Sequence, residues 1–234
     1  MSGTAVVTGA SRGIGRAVAQ ALASSGWRVA MAARGEAGLV GAARAIGERA
    51  IPLPCDVSDE RAVAGLADRV AREFGGAPDA LVNSAGVFTL APAHTMDPAE
   101  FERTIDANLA APFRLVRAFL PAMLARGSGH LVSIGSVADH VALPGNSGYA
   151  ASKFGLRGLH EVLRAELTGT GVRTTLVSPG PVDTAMWDDI DPDTRPGLTP
   201  RARMLEPAAV AAAVLFALEQ PAQVNVDEIR VARS

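Results

Sequence analysis

The chain has one cysteine, Cys55, in 234 residues, so no internal disulfide is available to it. A reducing compartment, the cytoplasm, is the expected setting. That cysteine and four scattered histidines offer no zinc-ligand spacing, so no metal is expected. With 22 Lys+Arg against 24 Asp+Glu and a net charge of -2, the basic excess of a nucleic-acid binder is missing. No apolar run approaches bilayer length. The first residues lead into "TAVVTGASRGIG" without the charged and apolar regions of a secretory signal, so no membrane partner is expected either. Aromatic residues make up only 4% of the chain, and one of them is the sole tyrosine, Tyr149. What remains, 48% hydrophobic and 20% charged, describes a single globular domain over residues 1–234 with enough chain to bury a core.

Short apolar runs alternate with longer helical stretches. Predicted strands are Ala5–Thr8, Arg28–Ala33, Ala50–Cys55, Ala80–Asn83, His130–Gly135, Arg173–Ser178 and Asn225–Val231. They carry few charges, as strands covered on both faces must. Between them lie amphipathic segments, including "DERAVAGLADRVAREFG", with Ser58 as its expected N-cap, and a long one from Pro98 to Leu124. Such alternation predicts parallel strands with right-handed crossovers: a doubly wound α/β fold, three layers deep, around a seven-stranded parallel sheet. The stretch 184–207, rich in Pro, Asp and Arg, follows a strand's carboxyl end and reads as a substrate loop inserted in the domain.

"TGASRGIG" (Thr8–Gly15) joins the first strand to the first helix. Gly9 allows a tight turn, Gly13 and Gly15 allow close backbone approach, and Ser11, Arg12 and Ile14 complete the loop that presents a helix N-terminus to a pyrophosphate. A loop of this kind can also be only a turn. The second strand ends at neutral Ala33, where an acidic residue would hold a ribose 2′-hydroxyl. Arg34 follows, and Arg12 lies in the loop, so two guanidiniums favour a 2′-phosphate, hence NADP(H) over NAD(H).

Tyr149 and Lys153 stand four residues apart and share a helix face. An ammonium beside a phenol stabilises phenolate, so Tyr149 is expected to ionise below its ordinary value and to transfer protons. The same spacing also fits a packed tyrosine beside a snorkelling lysine. Ser136, just past the fifth strand, is placed to bind an oxygen on which negative charge develops.

These motifs, with "CDV" (Cys55–Val57), "NSAG" (Asn83–Gly86), Asn108 in "DANL", "YAASK" and "PGPVDT" (Pro179–Thr184), make the whole chain resemble the short-chain dehydrogenase/reductase family. Two departures stand out: Ser84 where the family usually has asparagine, and a carboxyl end without the glycine-rich sequence of acyl-carrier-protein ketoreductases. The resemblance implies a Rossmann fold and an oxidoreductase moving hydride between NADP(H) and a carbonyl or secondary-alcohol group of a small molecule. It implies that Asp56 and Val57 hold the adenine edge, and that Asn83, Ala85 and Gly86 line the adenosine side. Pro179, Gly180, Val182 and Thr184 bracket the nicotinamide. Tyr149 is then general acid or base, Ser136 its partner, Lys153 also a ribose ligand, and Asn108 the holder of a relay water. His140, Asn146 and Trp187 border the expected substrate pocket, while His94, His130 and His160 read as structural or exposed. Apolar helices around 108–124 and after Tyr149, with the resemblance, point to a homodimer or homotetramer. The rival from another class is a sensor that binds NADP without turnover.

Overall fold

A computed structural model describes residues 3–234. Seven parallel strands form one sheet: β1 (Thr4–Thr8), β2 (Arg28–Ala32), β3 (Ala50–Pro52), β4 (Ala80–Asn83), β5 (Gly129–Ile134), β6 (Val172–Pro179) and β7 (Glu228–Val231). Their order is β3-β2-β1-β4-β5-β6-β7. The strand order reverses between β1 and β4, which opens a crevice at their carboxyl ends where this fold class binds ligands.

Side-chain alternation divides the core in two. Ala5 and Val7 of β1 face the layer of α1 (Gly13–Ser24), α2 (Glu36–Ile46) and α7 (Pro207–Leu218), packing with Leu22, Leu39 and Val214. Val6 faces the opposite layer, meeting Leu66 of α3 (Glu60–Phe74), Phe119 of α5 (Ala111–Arg126) and Leu163 of α6 (Ser147–Glu166). Each central strand is therefore apolar on both faces, which is why its sequence reads as a continuous run.

The structure departs from the sequence reading in several places. Helix α2 escapes the sequence pattern, because Gly38 and Gly41 dilute its apolar stripe to Leu39, Ala42 and Ala43. Asp59, not Ser58, caps α3: its carboxylate accepts from the Arg61 and Ala62 amides, while Ser58 donates to Asp56 instead. Strand β3 is regular only to Pro52, although Leu53 and Cys55 still donate to Met31 and Ala33 oxygens; Pro52 and Pro54 fit this edge strand because their nitrogens face away from β2. Strand β7 starts only at Glu228, since ahead of it the Asn225 side chain takes the Thr174 amide. The long segment from Pro98 divides into α4 (Pro98–Ile105), a π-turn (Asp106–Ala110) and α5. Among the described residues no helix is long and apolar enough to cross a membrane, and no His, Cys, Asp or Glu cluster could hold a metal ion.

Candidate active site

The glycine loop folds as its composition dictates. Gly9 and Gly13 have φ of 66° and 57°, a region that side chains disfavour. A Cβ on Gly9 would stand 2.8 Å from the Ala85 Cα, so only glycine lets this turn meet the loop after β4. The Thr8 hydroxyl fixes that loop by accepting from the Ser84 and Ala85 amides, each at 3.1 Å. No side chain caps α1, so its first amides are left for an anion. Gly15 is buried at the helix start and Ile14 packs on the core, with Ser11 and Arg12 on the outer rim.

Ala10 donates to the Ala32 carbonyl, which brings the glycine loop and the end of β2 to one rim. Arg12 and Arg34 are both exposed there, and among the described residues neither side chain makes a hydrogen bond or ion pair. Burial works to raise the Asp56 carboxyl, but hydrogen bonds from Ser58 and the nearby Arg34 charge hold it below the usual range. Val57 packs beside it on the core. Asn83, at the end of β4, is 3% exposed, and neither its amide oxygen nor its nitrogen has a partner. A buried amide left open calls for a ligand with both donors and acceptors. With the glycine cradle and the uncapped helix, this fits a dinucleotide.

Across the crevice, β6 ends at Pro179 and Gly180 donates to the Val231 carbonyl. Val182 is buried and Thr184 caps a short 3-10 turn (Ala185–Trp187). A Cβ on Gly13 would come within 3.3 Å of the Thr184 methyl, so the two lips of the crevice nearly touch. Among the 184–207 residues, Arg201 reaches Asp183 at 2.7 Å, Asp188 at 2.5 Å and the Thr184 carbonyl at 3.2 Å, clasping the substrate loop to this lip.

Ser136, Tyr149 and Lys153 meet at the crevice floor. Ser136 caps the 3-10 turn Val137–Asp139, with its hydroxyl accepting from the Ala138 amide at 3.1 Å, and it stands near enough to Tyr149 to favour the ionised phenol. Lys153, the only lysine in the chain, is 6% exposed. Its Nζ donates to the Ile134 carbonyl at 2.8 Å and lies 5.5 Å from the Tyr149 ring centre. Desolvation pushes the Tyr149 hydroxyl up to about 12, against the nearby Ser136 hydroxyl, with the Asp139 charge adding to the rise. Desolvation also brings Lys153 down to about 8, opposed by Asp139. The expectation that Lys153 lowers the phenol in the free protein is thus corrected. Burial acts on both groups, and the ammonium loses its proton before the phenol ionises.

Asn108 lies in the π-turn and is 1% exposed. Its amide spans two elements, accepting from the Val87 amide and donating to the Val87 carbonyl and to Ser152. Ser152 in turn donates to the Tyr149 carbonyl. Both amide hydrogens are committed. The π-turn explains how a long helix accommodates the asparagine, because such insertions free a backbone carbonyl and recur at functional sites.

Asn146 is 4% exposed beside this group. Trp187 donates its indole N–H to the Val182 carbonyl and packs on Phe88, ring centres 5.0 Å apart. His140 follows the Ser136 turn, half-buried. His130 is buried on Thr175, burial and Arg173 holding it down to about 3; His160 is also buried and His94 is exposed. Cys55 is a buried thiol that desolvation raises to about 11, so it is no nucleophile.

Several residues escaped the sequence reading. Phe88 stands edge-on to Tyr149, 4.8 Å between ring centres, and forms an apolar wall with Trp187. Asp139 is fully buried and accepts from the Ser136 amide, Ser178, His140 and Arg157. The spacing S-x-x-D from Ser136 to Asp139 is a capping-box pattern that could have signalled it. Nothing in the sequence signals that Arg157 joins it to Glu228 of β7.

A family model described as short chain dehydrogenase matches residues 3–195. An uncharacterized oxidoreductase of Staphylococcus saprophyticus is 36% identical over 231 residues, covering 97% of this chain and 95% of its own. A D-threitol dehydrogenase of Mycolicibacterium smegmatis is 41% identical over 231 residues, covering 94% and 88%. A metagenomic short-chain oxidoreductase solved in complex with NADP is 37% identical, with a TM-score of 0.85, over 99% of this chain and 97% of that one. The glycine cradle, the open Asn83 and the Ser136–Tyr149–Lys153 cluster thus stand in a chain that belongs to the short-chain dehydrogenase family of oxidoreductases.

Proposed function

We propose that this protein is an NADP-dependent oxidoreductase that interconverts a carbonyl group and a secondary alcohol, with Tyr149 as general acid or base. One observation carries the reading: Ser136, Tyr149 and Lys153 meet on the floor of a crevice whose rim holds two unpaired arginines. The nicotinamide, when bound, supplies or accepts the hydride. Tyr149 gives the carbonyl oxygen its proton, or removes it from the alcohol. Ser136 binds the same oxygen and stabilises its developing charge. Lys153, with its Nζ on the Ile134 carbonyl, is the ribose ligand. The amide of Asn108 holds the Val87 loop and Ser152. A relay water from Lys153 to solvent then rests on the remaining capacity of the π-turn.

Arg12 and Arg34 hold the 2′-phosphate, and the NADP complex of the metagenomic relative supports that cofactor. Asp56, Val57, Asn83, Ala85 and Gly86 hold the adenosine half, while Pro179, Gly180, Val182 and Thr184 hold the nicotinamide half. A relative named for a polyol supports the carbonyl and alcohol class. The protein works as a homodimer or homotetramer in the cytoplasm on a small molecule.

The test is NADPH oxidation with a panel of aldehydes and ketones, repeated with Tyr149→Phe. Turnover is expected in the unmodified protein and lost in the variant, which retains NADP binding because the phenol acts on the transition state. NADP binding without oxidation by any carbonyl would favour the sensor instead.

A further inference from the structure

We propose that His140, held by Asp139, and Asn146 form a hydroxyl-recognition subsite beside Ser136 and Tyr149. The substrate is then a carbonyl compound with a hydroxyl on the neighbouring carbon, and the product a vicinal diol. This rests on the oxidoreductase reading above and names the substrate class it leaves open.

The argument starts at Asp139. It is fully buried, and each oxygen accepts two partners: Ser136 N at 3.2 Å and Ser178 Oγ at 2.5 Å on one, His140 Nδ1 at 2.6 Å and Arg157 at 3.1 Å on the other. Burial alone would raise this carboxyl, but these bonds hold it below the usual range, so it stays an acceptor. Nδ1 of His140 must then carry a hydrogen, which leaves Nε2 as the ring nitrogen open to a ligand. The ring is 28% exposed, and among the described residues Nε2 has no partner. A single carboxylate separates the ring from the Ser136 backbone, which fixes it next to the reacting oxygen's binding group.

Asn146 adds a second open group. It precedes α6 by one residue and Tyr149 by three, its side chain caps nothing, and its Oδ1 is buried without a partner. A buried acceptor in that state is unfavourable until a donor reaches it. Arg157 is no alternative recognition group for an acid, because Asp139 and Glu228 already occupy its guanidinium. An open ring nitrogen and a buried amide oxygen without a donor suit a hydroxyl, which can both donate and accept. The wall opposite, Phe88 against Trp187, is apolar and offers a surface for the carbon skeleton.

The reaction balances without a further reactant: the hydroxycarbonyl takes a hydride from NADPH and a proton from Tyr149, giving a vicinal diol and NADP⁺. The test compares matched pairs as substrates with NADPH: hydroxyacetone and acetone, 3-hydroxybutan-2-one and butan-2-one, 2-hydroxycyclohexanone and cyclohexanone. A site built to bind a hydroxyl rejects the analogue lacking it, so kcat/KM should favour the hydroxyketone by about 100-fold or more. In His140→Leu the ratio should fall below about tenfold. His140→Gln, whose carbonyl oxygen still accepts, should keep more of it. Circular dichroism and NADPH titration establish that both variants fold and bind cofactor. If both members of each pair react equally while NADPH is oxidised, the hydroxyl subsite is wrong and the oxidoreductase reading stands. An undiminished ratio in His140→Leu also overturns it. No oxidation of NADPH by any carbonyl removes both readings.

Discussion

Replacing Lys153 by methionine should make the free protein more stable at neutral pH, although it removes a group of the active site. Nζ is held in a desolvated position with one carbonyl partner, and its pKa falls from 10.5 to about 8. At about 1.36 kcal/mol per pKa unit, keeping this ammonium charged in the fold costs roughly 3 kcal/mol. The sign follows from which form folding disfavours. Below pH 8 the charged lysine carries the whole cost, between 8 and 10.5 the cost fades, and above 10.5 both states are neutral. Methionine keeps the stem but forfeits the bond to the Ile134 carbonyl, worth about 1 kcal/mol. The net gain at pH 7 is roughly 2 kcal/mol, or about 4–8 °C in melting temperature for a chain of this size. Near pH 10.5 the order should invert, with the variant about 1 kcal/mol the weaker. Scanning calorimetry of both proteins at several pH values measures the difference, in which all other titrating groups cancel. A variant that melts lower at pH 7, or a gap that does not change with pH, would refute the reasoning.

The sole tyrosine makes a direct titration readable: the free protein should show no tyrosinate absorbance up to about pH 11, given the rise to about 12, and Lys153→Met should leave that unchanged. NADP⁺ should bring tyrosinate in at least about one pH unit earlier, because it adds a positive charge to the same site; a free phenol near its ordinary value would contradict the burial argument. Arg34→Asp should reverse cofactor choice, since a charge-assisted contact is worth about 1.5–3 kcal/mol and repulsion is added; equal NAD and NADP affinities in the unmodified protein would sink the assignment. Sedimentation at micromolar concentration should find a homodimer or homotetramer, because Phe113 and Leu124 of α5 and Phe154 and Val162 of α6 are 41–54% exposed. A monomer would refute this, and Phe154→Glu should weaken the assembly.

What the sequence conveys is strongest where one local rule decides. The central strands are legible because both of their faces are apolar, and Ala80–Asn83 was predicted with the bounds it has. The glycine loop is legible because φ and close approach demand glycine at Gly9 and Gly13. Legibility fails where tertiary partners decide. Nothing in "DANL" announces a π-turn, since the turn depends on Asn108 finding Val87 and Ser152 far along the chain. The sign of the Tyr149 shift is hidden for a similar reason: helix spacing reports the neighbouring ammonium but not the desolvation of both groups. Asp139 escapes the sequence because a carboxylate near a strand end reads as surface until four donors are seen around it.

Of the chain's 22 lysines and arginines, Lys153 is the one lysine, and the fold encloses its Nζ. The rest of those 22 are guanidiniums, so the folded surface offers no lysine amine to acylating labels, amine crosslinkers or aldehyde resins. A reagent selective for lysine becomes in effect a reporter of the crevice, reacting only as Nζ is uncovered and shielded by whatever occupies the site. Endoproteinase Lys-C meets the same geometry: its one bond, between Lys153 and Phe154, lies inside α6 and is out of reach while that helix is formed. A single cut, giving two fragments, would therefore time the opening of the helix that carries Tyr149.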